Sequence, residues 1–125
     1  MLFMAISEDR YQRLWKSIVN VLKNSGLSIS RIAKAGSRAR QQHRPDSDMD
    51  VIFAVARDPM KRFFYPQLIP ILRANFPEER VYAGTTYNVI HMDLRKGGNI
   101  DLVLLSEYEF DQQHGKDVEY RRSYL

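Results

Sequence analysis

The chain has no cysteine among its 125 residues, and this absence excludes both a disulfide framework and a thiolate zinc site. Its N-terminal stretch lacks the basic, apolar and small-residue regions of a signal peptide. No apolar run approaches the roughly 20 residues that a membrane-spanning helix needs. Internal repeats and low-complexity segments are absent as well. We therefore expect a cytoplasmic protein that is not associated with a membrane.

The apolar residues that are present suffice for one packed core. They make up 44% of the chain, which has 7 Tyr, 6 Phe and 1 Trp. We expect a single domain over residues 1–125. Within it, residues 106–125 alternate polar and aromatic side chains and form a C-terminal extension whose structure the pattern does not assign.

Basic residues are in excess. The 19 Lys and Arg against 15 Asp and Glu give a net charge of +4, which suits a partner that carries phosphates. Several of them surround a Gly-Ser pair at 36–37, just before a group of acids begins: Arg31, Lys34, Arg38, Arg40 and Arg44. The charge alone does not distinguish a nucleotide from a nucleic acid, or either from no anionic partner.

Hydrophobic periodicity predicts alternating helices and strands. Apolar residues at three- and four-residue spacing predict an opening helix over residues 8–25. Apolar and β-branched stretches predict strands over residues 29–35, 48–55, 80–82, 85–94 and 100–105, with a short helix over 37–42. Pro66 and Pro70 favour a kinked or two-part helix over residues 59–75 rather than one regular helix.

A hairpin is predicted at Gly97-Gly98, because two glycines suit a two-residue turn. This turn would pair Leu94 with Asp101. It would also turn Asp93 to the opposite face of the sheet from Asp101.

Three aspartates carry the most chemical information. Asp48 and Asp50 occupy alternate positions at the start of a strand, so their side chains point the same way. Asp101 lies inside the apolar run Ile100–Leu105, where an unpaired carboxylate costs several kcal/mol. If the two strands are neighbours, three carboxylates converge at one edge of the sheet. Such oxygen ligands favour Mg²⁺ or Mn²⁺, and two ions can clamp the attacking and leaving oxygens of a phosphoryl displacement.

The Gly-Ser pair at 36–37 fits the same chemistry. A glycine between a strand and a short helix lets backbone amides approach phosphate oxygens, and the serine hydroxyl can donate to them. Arg38, Arg40 and Arg44 are candidates for neutralising the pyrophosphate that leaves.

This pattern resembles the polymerase-beta-like nucleotidyltransferase superfamily. Gly-Ser at 36–37, ten further residues and Asp-Met-Asp at 48–50 match its Gly-Ser-x10-Asp-x-Asp signature. The segment Ile100–Val103 resembles its third-carboxylate strand. The resemblance covers residues 8–105, and the stretch 35–55 is most similar to the minimal nucleotidyltransferases.

The resemblance implies an α/β (α+β) fold, with a mixed sheet flanked by helices. It implies transfer of a nucleoside monophosphate from an NTP, here ATP, to an acceptor hydroxyl with release of pyrophosphate, and two Mg²⁺ (or Mn²⁺) ions. Asp48 and Asp50 would ligate both ions, and Asp101 would complete the site and help to activate the acceptor. Gly36 and Ser37 would hold the triphosphate. Larger members follow this core with a helical domain, so a helical, toxin-like partner or a homodimer would complete the cleft here.

Two other interpretations stay open. One is a non-catalytic, antitoxin-like subunit that binds nucleotide and masks a helical partner. The other is a basic RNA-binding domain whose carboxylates only form structural ion pairs, with Arg31, Arg38 or Arg95. The acceptor could itself be a protein, an RNA or a small molecule. The three histidines have no spacing that gathers them around zinc, so we predict no metal role for His43, His91 and His114.

Overall fold

A computed structural model describes residues 8–35, 48–56, 65–86, 88–114 and 120–121. Three helices occur in these ranges: α1 (Glu8–Lys23), α2 (Tyr65–Asn75) and α3 (Glu107–His114). The strands are β1 (Ile29–Ala35), β2 (Met49–Val55), β3 (Arg80–Ala83), β4 (Val89–Asp93), β5 (Asn99–Leu105) and β6 (Tyr120–Arg121). None of the described helices has both the length and the apolar character needed to cross a membrane.

The six strands form one mixed sheet in the order β3-β4-β5-β2-β1-β6. Strands β2 and β5 are parallel, whereas the other described pairs are antiparallel. Because β2 and β5 run side by side in the same direction, the starts of both strands meet at the same edge of the sheet. The prediction of a mixed sheet flanked by helices is confirmed.

One face of the sheet holds the main core, under α1 and α2. The buried residues of α1 recur every three or four positions and so form one stripe along the helix: Tyr11, Trp15, Ile18 and Leu22. They pack against inward-facing strand residues that include Phe53 and Leu102, both fully buried. The predicted opening helix is thus present, and it ends three residues before Gly26, whose φ of 77° suits a helix terminus.

Helix α2 is continuous through Pro70, so the two-part alternative is wrong for the described helix Tyr65–Asn75, whereas a kink stays a prediction. Pro66 stands in the first turn, where a backbone N–H has no intrahelical partner. Pro70 removes one interior bond, but it lies on the exposed side, where water can reach the freed carbonyl. Leu68 and Leu72, four residues apart, are fully buried and hold the helix on the sheet.

Helix α3 covers part of the opposite face. Its Phe110 is fully buried against a small cluster formed by Ala33, Ile52, Ala54 and Leu105. The Arg31 guanidinium, 11% exposed, bonds to Glu107 and to Asp111 (Nε to Oδ1, 2.7 Å), so β1 is also tied to α3 by ion pairs. The described part of segment 106–125 therefore belongs to the fold, with α3 on the sheet and β6 beside β1.

The β4–β5 hairpin differs from its prediction by three residues. Asp93 pairs with Asn99 and His91 pairs with Asp101, so the loop spans residues 94–98. Gly97 and Gly98 both have positive φ, and the Leu94 N–H donates to the Gly98 carbonyl (2.9 Å). The two-residue turn was therefore wrong. A register shift by an odd number of residues moves each β4 side chain to the other face relative to β5. Asp93 therefore lies on the same face as Asp101, whereas Leu94 enters the main core.

Candidate active site

A row of four polar side chains crosses the sheet on the face that α3 covers only in part. Register pairs Asp50 on β2 with Asp101 on β5, Asp101 with His91 on β4, and His91 with Tyr82 on β3. Directly paired residues send their side chains to the same face, on strands about 4.8 Å apart. Two of the predicted acids, which are far apart in sequence, are thus immediate neighbours. The third, Asp48, is exposed and lies two residues before Asp50, just ahead of β2.

The Asp50 carboxylate lies in an unfavourable electrostatic environment. Burial, followed by the negative charges of Asp101 and Asp48, raises its pKa above the ordinary value. Among the described residues we find no side chain that donates a hydrogen bond or a positive charge to Asp50. The charge of Asp50 is therefore not balanced by a side chain of the described residues.

The Asp101 carboxylate is held by a histidine. Nδ1 of His91 lies 2.7 Å from Oδ1 of Asp101, and the two side chains are 33% and 30% exposed. An ionised carboxylate can only accept hydrogen bonds, so Nδ1 is the donor in this pair. This contact fixes one oxygen of Asp101 and leaves the other without a donor from the described residues.

The far end of the row is a stack of side chains. The Tyr82 ring lies against the His91 ring, with centroids 5.3 Å apart, and the Arg80 guanidinium lies 4.8 Å from the centroid of the Tyr82 ring. The Tyr82 hydroxyl donates to Asp93 (3.1 Å to Oδ2), and this hydrogen bond raises the pKa of Tyr82. Asp93 is therefore engaged by Tyr82, although it shares a face with Asp101.

The predicted phosphate-binding residues cannot be compared with the structure. Gly36, Ser37, Arg38, Arg40 and Arg44 lie outside the described residues. Their roles remain predictions. The nearest described position is Ala35 at the end of β1, which pairs with Asp50.

Sequence analysis gave His91 no role in the site, and the structure places it in contact with Asp101. The signal was present in the hairpin, because a five-residue loop puts residue 91 opposite residue 101. The two-residue turn that was predicted does not place His91 opposite Asp101. Tyr82, which no sequence motif indicates, lies in the same row.

The donor chemistry of the three acids fits a divalent cation. Carboxylate oxygens are the ligands that Mg²⁺ and Mn²⁺ prefer, and a cation would offset the burial and the repulsion that together raise the pKa of Asp50. In the described ranges, no three His, Asp or Glu side chains already surround a common point, as they would in a preformed cage. Mg²⁺ does not require one, because it commonly keeps several waters and takes substrate phosphates as further ligands.

Comparisons with known proteins give structural matches only. No protein-family model matches the chain, and no curated protein matches it by sequence. Among solved structures, terminal uridylyl transferase 4 from Trypanosoma brucei, with bound GTP, superposes with a TM-score of 0.58 at 14% identity. That match covers 75% of this chain and 29% of the transferase.

Two further structures extend the likeness. CdnC of Escherichia coli MS115-1, solved with ATP, gives a TM-score of 0.56 at 23% identity over 78% of this chain and 33% of CdnC. A proposed nucleotidyltransferase from Sulfolobus solfataricus gives 0.51 at 18% identity over 98% of this chain and 91% of its own. The chain thus spans a third or less of the first two proteins. At these identities the likeness establishes the fold alone, and the chain shares the fold of these three structures.

Proposed function

We propose that this chain is a metal-dependent nucleotidyltransferase that moves a nucleoside monophosphate from an NTP, in the first instance ATP, to an acceptor hydroxyl. The observation that carries the proposal is the direct pairing of Asp50 with Asp101, with Asp48 two residues away. The acids come from distant parts of the sequence, and nothing in sheet packing requires two carboxylates to face each other. A fold shared with structures that hold GTP and ATP supports the same conclusion.

The reaction makes one bond and breaks one. The acceptor oxygen attacks the α-phosphorus, the bond between the α-phosphorus and the bridging oxygen to the β-phosphate breaks, and pyrophosphate leaves with the bond electrons. When bound, two divalent ions would supply charge stabilisation for the attacking and leaving oxygens. Asp48 and Asp50 would hold both ions. Asp101 would hold one ion and accept the proton that the acceptor hydroxyl loses.

The triphosphate would be held by residues that come directly after β1. Gly36 and Ser37 would donate from backbone and hydroxyl, and Arg38, Arg40 and Arg44 would neutralise the departing pyrophosphate. The position of the preceding residue supports this placement, because strand β1 ends at Ala35, which is paired with Asp50.

A second polypeptide is part of the proposal. The row from Asp50 to Tyr82 is partly exposed, since α3 lies over the cluster around Phe110 and not over the acids. We propose that a helical partner protein or a second copy of the chain covers this face and presents the acceptor. CdnC, which shares the fold, has been solved in complex with HORMA-deltaN, so the fold is compatible with a protein partner.

The alternative of purely structural ion pairs is less well supported. Arg31, one of the cations proposed for it, is engaged by Glu107 and Asp111 on α3. Among the described residues, neither Arg31 nor Arg95 forms an ion pair with Asp50 or Asp101.

The test uses ATP radiolabelled at the α-phosphate, incubated with the protein, Mg²⁺ and a cell lysate as the source of acceptor. We expect label to move to a larger molecule, whereas ATP labelled at the γ-phosphate should yield labelled pyrophosphate only. Asp48→Asn and Asp50→Asn should abolish transfer, and Asp101→Asn should slow it strongly while nucleotide binding is partly kept. Asp93→Asn, on the same face but bonded to Tyr82, is the matched control and should remain active. Transfer by the Asp50→Asn protein would remove the metal site from the proposal.

A further inference from the structure

The His91 side chain is fixed from two sides. Its Nδ1 donates to Asp101 at 2.7 Å, and its ring lies against Tyr82. Both neighbours lie on strands of the same sheet, β5 and β3, which flank β4. The ring therefore has little freedom to leave Asp101 without breaking a contact on one side or the other.

A glycine leaves room for the far edge of this ring. A Cβ added at Gly84 would lie 2.9 Å from Nε2 of His91 and 3.1 Å from the carbonyl oxygen of Val89. The Gly84 N–H donates to that same carbonyl (2.8 Å), so the backbone cannot easily retreat. Any larger residue at position 84 would push the imidazole. Since Nε2 faces this backbone, the nitrogen that is available to the site is Nδ1.

The acid that His91 contacts, Asp101, has two roles in the proposed reaction. Asp101 must present an oxygen to an ion and accept a proton, and a carboxylate that rotates freely spends part of its time in other orientations. A carboxylate with one oxygen bonded to a fixed donor keeps its second oxygen in a defined direction. Outer partners of this kind, which hold the ligands of a metal, typically change metal affinity or activity about 10–100-fold when they are removed.

We propose that His91 is a positioning residue, which holds the Asp101 carboxylate in the orientation required for divalent-cation binding and for activation of the acceptor. The inference rests on the proposed function, since it gives His91 a task only if Asp101 is a metal ligand. The atom of His91 that orients Asp101 is Nδ1. The close approach of Gly84 and the contact with the Tyr82 ring keep Nδ1 in place.

The test replaces His91 by residues that keep or lose a donor at the same place. In asparagine the side-chain nitrogen is attached to Cγ, as Nδ1 is in histidine, so His91→Asn keeps a donor near Asp101. His91→Gln puts its nitrogen one bond further out, nearer to the position of Nε2. His91→Phe keeps a planar ring and has no donor. Gly84→Ala leaves His91 in the chain and displaces its ring.

The primary measurement is Mn²⁺ binding in the absence of nucleotide, by calorimetry or by electron paramagnetic resonance. We expect His91→Phe to weaken Mn²⁺ binding about 10–100-fold and to lower kcat with little change in KM for ATP. We expect His91→Asn to restore most of the affinity, His91→Gln to restore little, and Gly84→Ala to fall between wild type and His91→Phe. Tyr108→Phe, at a side chain that is 74% exposed, is the aromatic control and should bind Mn²⁺ as wild type does.

Different outcomes separate the two proposals. If wild-type protein binds Mn²⁺ and His91→Phe binds it equally well, the positioning role is refuted and the proposed function stands. If His91→Asn is as defective as His91→Phe, or if both merely lower Tm, the role of His91 is packing, and the inference fails. Rescue by His91→Gln instead of His91→Asn would overturn the assignment to Nδ1. If wild-type protein binds no Mn²⁺ even when ATP is present, the proposed function fails and takes the inference with it.

Discussion

Replacing Asp50 with asparagine should stabilise the metal-free protein. Asp50 and Asp101 are paired on strands about 4.8 Å apart, and two unit charges about 5 Å apart repel by about 0.8 kcal/mol in water and by about 3 kcal/mol at an effective dielectric constant of 20. Both side chains are partly exposed, so solvent screens part of this repulsion. We therefore expect a gain of about 1–2 kcal/mol for Asp50→Asn at neutral pH. For a domain of this size that corresponds to a rise in Tm of about 3–8 °C.

The gain in unfolding free energy of Asp50→Asn over wild type should depend on pH, and the sign of that dependence follows from the pKa shift. The folded-state pKa of Asp50 is raised, so the folded protein favours the protonated carboxyl. The corresponding stability is present in full below the unfolded pKa of about 3.9, and it is lost as the pH rises through the raised folded pKa. The difference in unfolding free energy between Asp50→Asn and wild type should therefore grow between mildly acidic and neutral pH.

The assay is urea unfolding at several pH values in the presence of a chelator, repeated with excess Mg²⁺. Bound ions should stabilise wild type, by about 2.7 kcal/mol at 100 times Kd, and stabilise the variant less, so the difference should shrink or change sign. Glu78→Gln, at an exposed turn residue after α2, is the control and should stay within about 0.5 kcal/mol of wild type. A variant that is less stable than wild type at neutral pH without Mg²⁺ would refute the interpretation of Asp50 as a charge that no described side chain compensates.

Other substitutions test the framework around the site. Arg31→Met should lower the unfolding free energy in urea by about 1–3 kcal/mol, because it removes the ion pairs of Arg31 with Glu107 and Asp111, whereas Lys96→Met in the hairpin loop should change it little. Equal effects would contradict the role of Arg31 in docking α3. Gly98→Ala should lower the unfolding free energy by about 1 kcal/mol, because the φ of 92° suits glycine alone. An unchanged unfolding free energy in the same assay would argue against this loop conformation. Asp93→Asn should lower the pKa of Tyr82, since the hydrogen bond that raises it is weakened; an unchanged phenol titration, followed by ultraviolet absorbance, would show that the contact is not formed in solution.

Much of the fold was accessible from the sequence because its signals are local. The stripe from Tyr11 to Leu22 has only one reasonable interpretation, and the apolar run after Asp50 is too short for a helix and too continuous for a loop. The pairing of Asp50 with Asp101 was also within reach, since an unpaired carboxylate in an apolar strand needs a reason to be there.

What the sequence could not supply was non-local. The hairpin register depends on whether Leu94 ends the strand or turns into the core, and the core is built by α1 and α2 from elsewhere in the chain. The face occupied by Asp93 and the contact between His91 and Asp101 both follow from that one choice. Helix α3 was missed for a related reason: its helical pattern is weak, and Phe110 and the ion pairs of Arg31 hold it in place.

The parallel ladder between β2 and β5 has a consequence for assembly. A parallel pair cannot be closed by a tight turn, so α2, β3 and β4 are all inserted between the strand that carries Asp50 and the strand that carries Asp101. A nascent chain that has formed only β1 and β2 therefore contains two of the three acids and lacks Asp101. The proposed site would therefore form late in folding, when β5 pairs with β2. A ligand that binds residues of both strands would stabilise this pairing against local unfolding.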